Sequence, residues 1–224
     1  FFGAPTQNAT EMAVEEINAQ GGVDGRRLDV IWEDGKCNGT DATTATQKLL
    51  NVDKVRVILG GACSGETLAA AQLTQPARAL LLSGLSSSPD ITTAGDLVFR
   101  TYPSDAFQGK IMAQYSAKKL EAESAAVIAQ NTDYAQALRG VFVEEFNAQG
   151  GEVVFDEAYN TDETDFRTLI TKMKSQNADV IYIIPQTYQP GELILKQMKE
   201  LGVGGIRLGA ETLVNRDAIT ANPS

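Results

Sequence analysis

Residues 60–67, GGACSGET, stand directly after the apolar run VRVIL and read G-x-x-x-x-G-x-T. A phosphate-cradling loop of this form needs Lys next to its final hydroxyl residue. Here that position is Glu66, which repels a polyphosphate. What remains is a glycine-rich turn from strand to helix. Ser64 is placed to cap a helix beginning near Gly65, whose first N–H groups and dipole favour an anion. A single carboxylate needs neither Lys nor magnesium. Read alone, the stretch is equally a plain helix cap on a tight turn.

Other polar groups stand where apolar runs end. GLSSSP (84–89) carries three serines, QNTDYAQ (130–136) carries Tyr134, PQTYQPGE (185–192) carries Tyr188, and LGAET (208–212) carries Glu211. Hydroxyls and amides suit a carboxylate; an acid and aromatic hydroxyls suit an ammonium. Together they fit a zwitterion. Singly, each has an ordinary explanation: serine turns are solvated, tyrosines fill cores, and acids at strand ends face water.

Much chemistry is excluded. The chain contains no histidine, so serine–histidine and cysteine–histidine catalysis are absent and the commonest metal ligand is missing. The two cysteines, Cys37 and Cys63, lack metal-site spacing. No metal and no cofactor is expected, and the chain reads as a binder, not an enzyme. A nucleotide-dependent Rossmann-like enzyme is the rival, and no G-x-G-x-x-G follows a strand to support it.

The elements that position these residues repeat. VEEINAQGG at 14–22 recurs as VEEFNAQGG at 143–151, identical at eight of nine positions and offset by 129. Upstream, Ala9, Met12, Ala13 and Ile17 correspond to Leu138, Val141, Phe142 and Phe146. Steps of three and four predict one buried helical face in each copy. Each copy ends in Gly-Gly, suited to a left-handed C-cap, and then runs into RLDVIWE or EVVFDEAY as a strand. Helices are expected over 9–20, 41–51, 66–75, 106–120, 134–148, 164–175 and 191–201. Buried strands are expected in VRVIL and VIYII and over 79–84, 96–102, 125–131 and 205–211. Strands alternating with helices predict an α/β chain of two similar lobes, each a parallel sheet with helices on both faces. The lobes are expected at 1–103 and 104–224, crossing near Tyr102-Pro103-Ser104, with ligands taken at the carboxyl ends of the strands.

With 224 residues, 43% apolar, the chain can bury a core in each lobe. Its net charge of −10 opposes nucleic acid and anionic membranes. The apolar runs are too short to span a bilayer.

INAQGGVDGRRLDVIWEDGKC, VILGGACSGET, SSSPDIT, LVFRTYPSDAFQG and DFRTLITKMKSQNADVIYI together resemble the type I periplasmic solute-binding proteins of ABC importers, in the leucine/isoleucine/valine-binding family. The resemblance spans nearly the whole chain. It implies that Ser64 binds the carboxylate of an amino acid by hydroxyl and N–H, with Ala62 and Cys63 forming the backbone around it. It also implies that the Leu85 carbonyl meets the ammonium, Ser87 adds a hydroxyl and N–H, and Asp105 lies near the ammonium. Tyr134, Tyr188 and Glu211 would close from the second lobe, Glu211 pairing the ammonium, and Phe2 would face the ligand side chain. Cys37 and Cys63 would be bridged, as suits an oxidising compartment. The implied protein is a periplasmic or extracellular monomer that binds an aliphatic amino acid and docks on an ABC permease. The alternative is a ligand-sensing domain of a receptor or regulator with the same fold. The family begins with a strand ahead of the first helix and continues beyond GAE, so lobe one is expected to be incomplete.

Overall fold

The computed structural model describes residues 3–214. They gather into two compact units: the first runs to Ser86 and takes Ile91–Tyr102, and the second takes Ser87–Asp90 and the chain from Pro103.

In the first unit, α1 (Gly3–Ala19) and α2 (Gly39–Asn51) precede β1 (Val57–Leu59), α3 (Ser64–Thr74), β2 (Leu80–Ser83) and β3 (Val98–Arg100). The strands form a parallel sheet in the order β1-β2-β3. Period-two alternation sends Ile58, Leu81 and Val98 to one face, where Leu50 of α2 and Ala70 and Ala71 of α3 cover them. Asn38 caps α2 by accepting the Asp41 N–H at 2.9 Å.

Three expectations are corrected here. The opposite face of this sheet, with Val57, Leu59 and Phe99, is exposed, and α1 buries none of its residues. The run RLDVIWE forms no strand: a strand exists only through a neighbour's ladder, and among the described residues none pairs with it. It is tied to α1, whose Asn18 side chain accepts the Leu28 N–H at 2.7 Å and donates to the Leu28 carbonyl at 3.0 Å.

The second unit has helices on both faces of a four-stranded parallel sheet, ordered β5-β4-β6-β7. Its elements are α4 (Asp105–Lys118), β4 (Ser124–Gln130), α5 (Asp133–Ala148), β5 (Glu152–Tyr159), α6 (Arg167–Lys174), β6 (Val180–Ile184), α7 (Tyr188–Glu200) and β7 (Ile206–Gly209). Strand β6, VIYII, is buried at every residue, as a strand covered on two sides must be. One core packs α5 residues Leu138, Phe142 and Phe146 on Val127, Val180 and Tyr182. The other packs Ile170, Met173, Ile194 and Met198 on Ile128, Ile181 and Ile183. Ser104 and Thr132 cap α4 and α5 with their hydroxyls. At the amino ends of the strands, the Asp179 carboxylate accepts the N–H groups of Glu123 and Ser124 and the Ser124 hydroxyl. Those bonds hold its pKa below the usual aspartate value. No helix among the described residues is long and apolar enough to cross a membrane.

Candidate functional site

In the first unit the site is the turn from β1 into α3. Helix α3 begins at Ser64, so its cap is Cys63 and not Ser64 as expected. Capping falls instead to Glu66, whose Oε2 accepts the Cys63 N–H at 2.9 Å. The Cys63 amide is therefore committed within the protein. Cys63 is also bridged to Cys37, their Cα atoms 5.2 Å apart. The Gly61 carbonyl accepts the hydroxyls of Ser83 at 2.7 Å, Ser86 at 3.0 Å and Thr67 at 3.3 Å, which fixes the turn against the end of β2. Ser64 is buried beside it and Ala62 is half-buried. Leu85 is half-buried and gives its N–H to the Ser83 hydroxyl at 3.3 Å.

In the second unit, main-chain and side-chain groups from four segments join in one chain of hydrogen bonds. The Ser87 carbonyl accepts the Asp105 N–H at 2.9 Å. Asp105 Oδ1 accepts Gln108 Nε2 at 3.0 Å, and Gln108 Oε1 accepts the Glu211 N–H at 3.1 Å. Glu211 Oε2 then accepts the Tyr134 hydroxyl at 2.7 Å. Each link follows from local structure. Asp105 and Gln108 lie three apart on the first turn of α4, and hence on one face. Tyr134 enters at the start of α5, and Glu211 follows the end of β7. Asp105 and Ser87 are buried, whereas Glu211 is part-exposed.

Two carboxylates and two phenols thus share one neighbourhood. Burial and then the Glu211 charge push the Tyr134 phenol well above its ordinary value, so it stays a hydrogen-bond donor. Tyr182 responds likewise, raised by burial and by the charges of Glu211 and Asp105, and its hydroxyl is buried without a hydrogen-bond partner. Carboxylate oxygens grouped in this way are chemically suited to a cation and not to an anion. Tyr188 opens α7, half-buried, and is engaged by Glu192 one turn on. Phe2 lies outside the described residues.

The family model described as "Periplasmic binding protein" matches residues 1–223. The chain belongs to this family. The Leu/Ile/Val-binding protein of Escherichia coli K12 is 27% identical over 96% of the chain and 58% of its own length. The branched-chain amino acid transporter substrate-binding protein LivJ of Streptococcus pneumoniae, solved in complex with isoleucine, is 32% identical with a TM-score of 0.83. That likeness covers 97% of this chain and 62% of the other. The leucine-binding protein LivK of Thermotoga maritima is 26% identical, also with a TM-score of 0.83, over 91% and 58%. The chain spans 54–58% of the length of the curated relatives it is compared with, and the fold is that of a type I periplasmic binding protein.

For this periplasmic binding protein, sequence reasoning overlooked Gln108, which joins Asp105 to Glu211, and Tyr182. The i, i+3 step from Asp105 marks the first. A lone hydroxyl inside the five-residue apolar strand VIYII marks the second. It also overlooked the hydroxyls of Thr67 and Ser83 and, while counting Ser86 among the serines suited to a carboxylate, did not foresee that its hydroxyl joins theirs on Gly61. Their convergence on one carbonyl depends on where β2 ends relative to α3.

Proposed function

We propose that the chain is the ligand-binding part of an extracytoplasmic amino-acid receptor, with two lobes at 1–103 and 104–224. An aliphatic amino acid is bound and delivered to an ABC permease, and no bond is broken. The observation that carries this is the hydrogen-bonded chain Asp105–Gln108–Glu211–Tyr134, which presents two carboxylates suited to an ammonium. The names of the relatives, which bind leucine, isoleucine or valine, support the ligand class.

Each set of residues has a separate task. In the first unit, Ser64 supplies hydroxyl and N–H to the α-carboxylate, Ala62 the surrounding backbone, and Leu85 a carbonyl to the ammonium. Ser87, which belongs to the second unit, adds hydroxyl and N–H. In the second unit, Glu211 pairs with the ammonium, Asp105 adds to the field, and Tyr134 orients Glu211. Tyr188 and Phe2 contribute apolar contact to the ligand side chain. Binding expels water, so each charge-assisted bond strengthens as the local dielectric falls. Micromolar affinity, about −8 kcal/mol, is the expected scale. The receptor acts as a monomer at the periplasmic or outer face of the cell membrane, and its net charge of −10 disfavours nucleic acid.

Isothermal titration of the purified chain with leucine, isoleucine and valine tests this. Glu211→Gln should weaken binding well over tenfold, since it removes the carboxylate that pairs directly with the ammonium. Equal affinity in the variant, or no heat with the unaltered chain, refutes the reading.

A further inference from the structure

Glu66 is an odd residue for an anion-receiving turn. It places an acidic side chain in the first turn of α3, at a position 8% exposed. The two oxygens explain it. Oε2 accepts the N–H of Cys63 at 2.9 Å, and Oε1 accepts the N–H of Cys37, from a loop 29 residues earlier, at 3.0 Å. The Cys63 carbonyl in turn accepts the Glu66 and Thr67 N–H groups at 3.0 and 3.2 Å. One carboxylate thus grips the main chain of both half-cystines, while the disulfide grips their side chains.

The surroundings are cut to this carboxylate. Neither Gly35 nor Gly61 has room for a side chain: a Cβ on either would overlap Glu66, whose carboxylate stands against Gly35 and whose Cβ stands against Gly61. Two N–H donors also need two acceptor oxygens. An amide of the same size would turn one donor toward another.

We propose that Glu66 is the positioning residue of the carboxylate-binding turn. It fixes the orientation of the Cys63–Ser64 peptide and couples that turn to the Cys37 loop, so that the two respond to ligand as one piece. Because it consumes the Cys63 amide, that N–H is withheld from the ligand. The role at the ligand rests on the amino-acid-binding reading. The grip on the two amides does not.

The test is nuclear magnetic resonance of the ¹⁵N-labelled chain with leucine as probe, together with titration calorimetry. Without ligand, Glu66→Gln should move the Cys37 and Cys63 amide protons upfield together, as charge-assisted bonds are lost. With leucine, the Cys37 amide of the unaltered chain should shift in step with Ser64. In Glu66→Gln that coupling should vanish and leucine affinity should drop roughly tenfold. A purely structural Glu66 would leave Cys37 silent to leucine in both proteins. Unmoved amides in the variant overturn the proposal, as does unchanged affinity, or a silent Cys37 in the unaltered chain when Ser64 responds. If the variant does not fold, the scalar couplings from the Cys37 and Cys63 amide nitrogens to Glu66 Cδ in the unaltered chain decide the grip, and the leucine-induced Cys37 shift decides the coupling. If leucine, isoleucine and valine all fail to bind the unaltered chain, the amino-acid reading and the ligand role fail together, and the ligand-free amide shifts still judge the grip alone.

Discussion

Helices α1 and α5 end in nearly the same nine residues and in the same hydrogen bonds, yet one is bare and the other lies in the core. Gly22 N–H reaches the Ile17 carbonyl at 2.9 Å, and Gly151 N–H reaches Phe146 at 3.1 Å; Gly21 and Gly150 pair with Asn18 and Asn147 at 3.1 and 3.0 Å. Gly21 and Gly150 both take positive φ, 104° and 92°, which a side chain would oppose. Burial differs completely. Phe142 and Phe146 are fully enclosed, whereas Met12 is 64% and Ile17 38% exposed. Local chemistry builds the helix and its cap. Burial requires a sheet to lie on, and α5 has one in β4, β5 and β6. The segment after α1 that corresponds to β5 is unpaired among the described residues. The side chains follow suit: Ala9 and Ala13 in the first copy are Leu138 and Phe142 in the second.

The sharpest way to break this contrast is Phe142→Ala. The ring stacks on Phe146 with centroids 5.6 Å apart and meets Tyr182 at 4.7 Å. Its loss should cost about 3–5 kcal/mol in guanidinium unfolding of the second unit. Next comes the bridge Cys37–Cys63, with a sequence separation of 26, which lies wholly in the first unit. Its reduction should remove about 3.5 kcal/mol there by the chain-entropy account, while amide exchange in α5 and β4 stays unchanged. Loss of protection in α5 would show that the units are not independent.

A smaller effect is set by pH. The folded chain holds Tyr134 and Tyr182 above their ordinary pKa of 10.0, through burial first and the Glu211 charge second. A raised folded pKa means that stability is complete below 10.0 and is lost as pH climbs from there toward the folded values. The second unit should therefore weaken by up to about 1.4 kcal/mol per pH unit for each tyrosine, and Tyr182→Phe should remove its share of the slope in urea melts. In the first unit the raised groups include the exposed, ion-paired Lys36 and Lys48, so its dependence at high pH should be much weaker. Smallest of all, Met12→Ala should change stability by less than about 0.5 kcal/mol. A cost resembling that of Phe142→Ala would mean that α1 is packed in solution.

Much of the architecture was legible because it is written locally. The helices expected at 41–51, 106–120 and 134–148 appear as Gly39–Asn51, Asp105–Lys118 and Asp133–Ala148, each announced by a capping Asn, Ser or Thr. VIYII is a strand buried on both faces, as an unbroken apolar run implies. RLDVIWE carries a comparable strand pattern and is no strand, because pairing is a property of two segments and the pattern describes only one. At the candidate site, Tyr134 and Glu211 were identified from their types and places at strand ends and Asp105 from the family resemblance, and hydrogen bonds join the three through Gln108. Gln108 was missed, and Glu66 was read only as the residue that repels a polyphosphate, because the importance of each lies in what it joins.

The sequence by itself determined the repeated helix–strand units, their caps, the glycine turns and the residue types at the strand ends, since these depend on contacts within a few residues. Tertiary structure alone decided which copy of the repeat became core. It alone brought Glu211 onto Tyr134 across 77 positions and turned the carboxylate of Glu66 to the amides of both bridged cysteines. Contacts of that span arise only when whole elements pack, and the free energy of packing depends on neighbours that no single stretch of sequence contains.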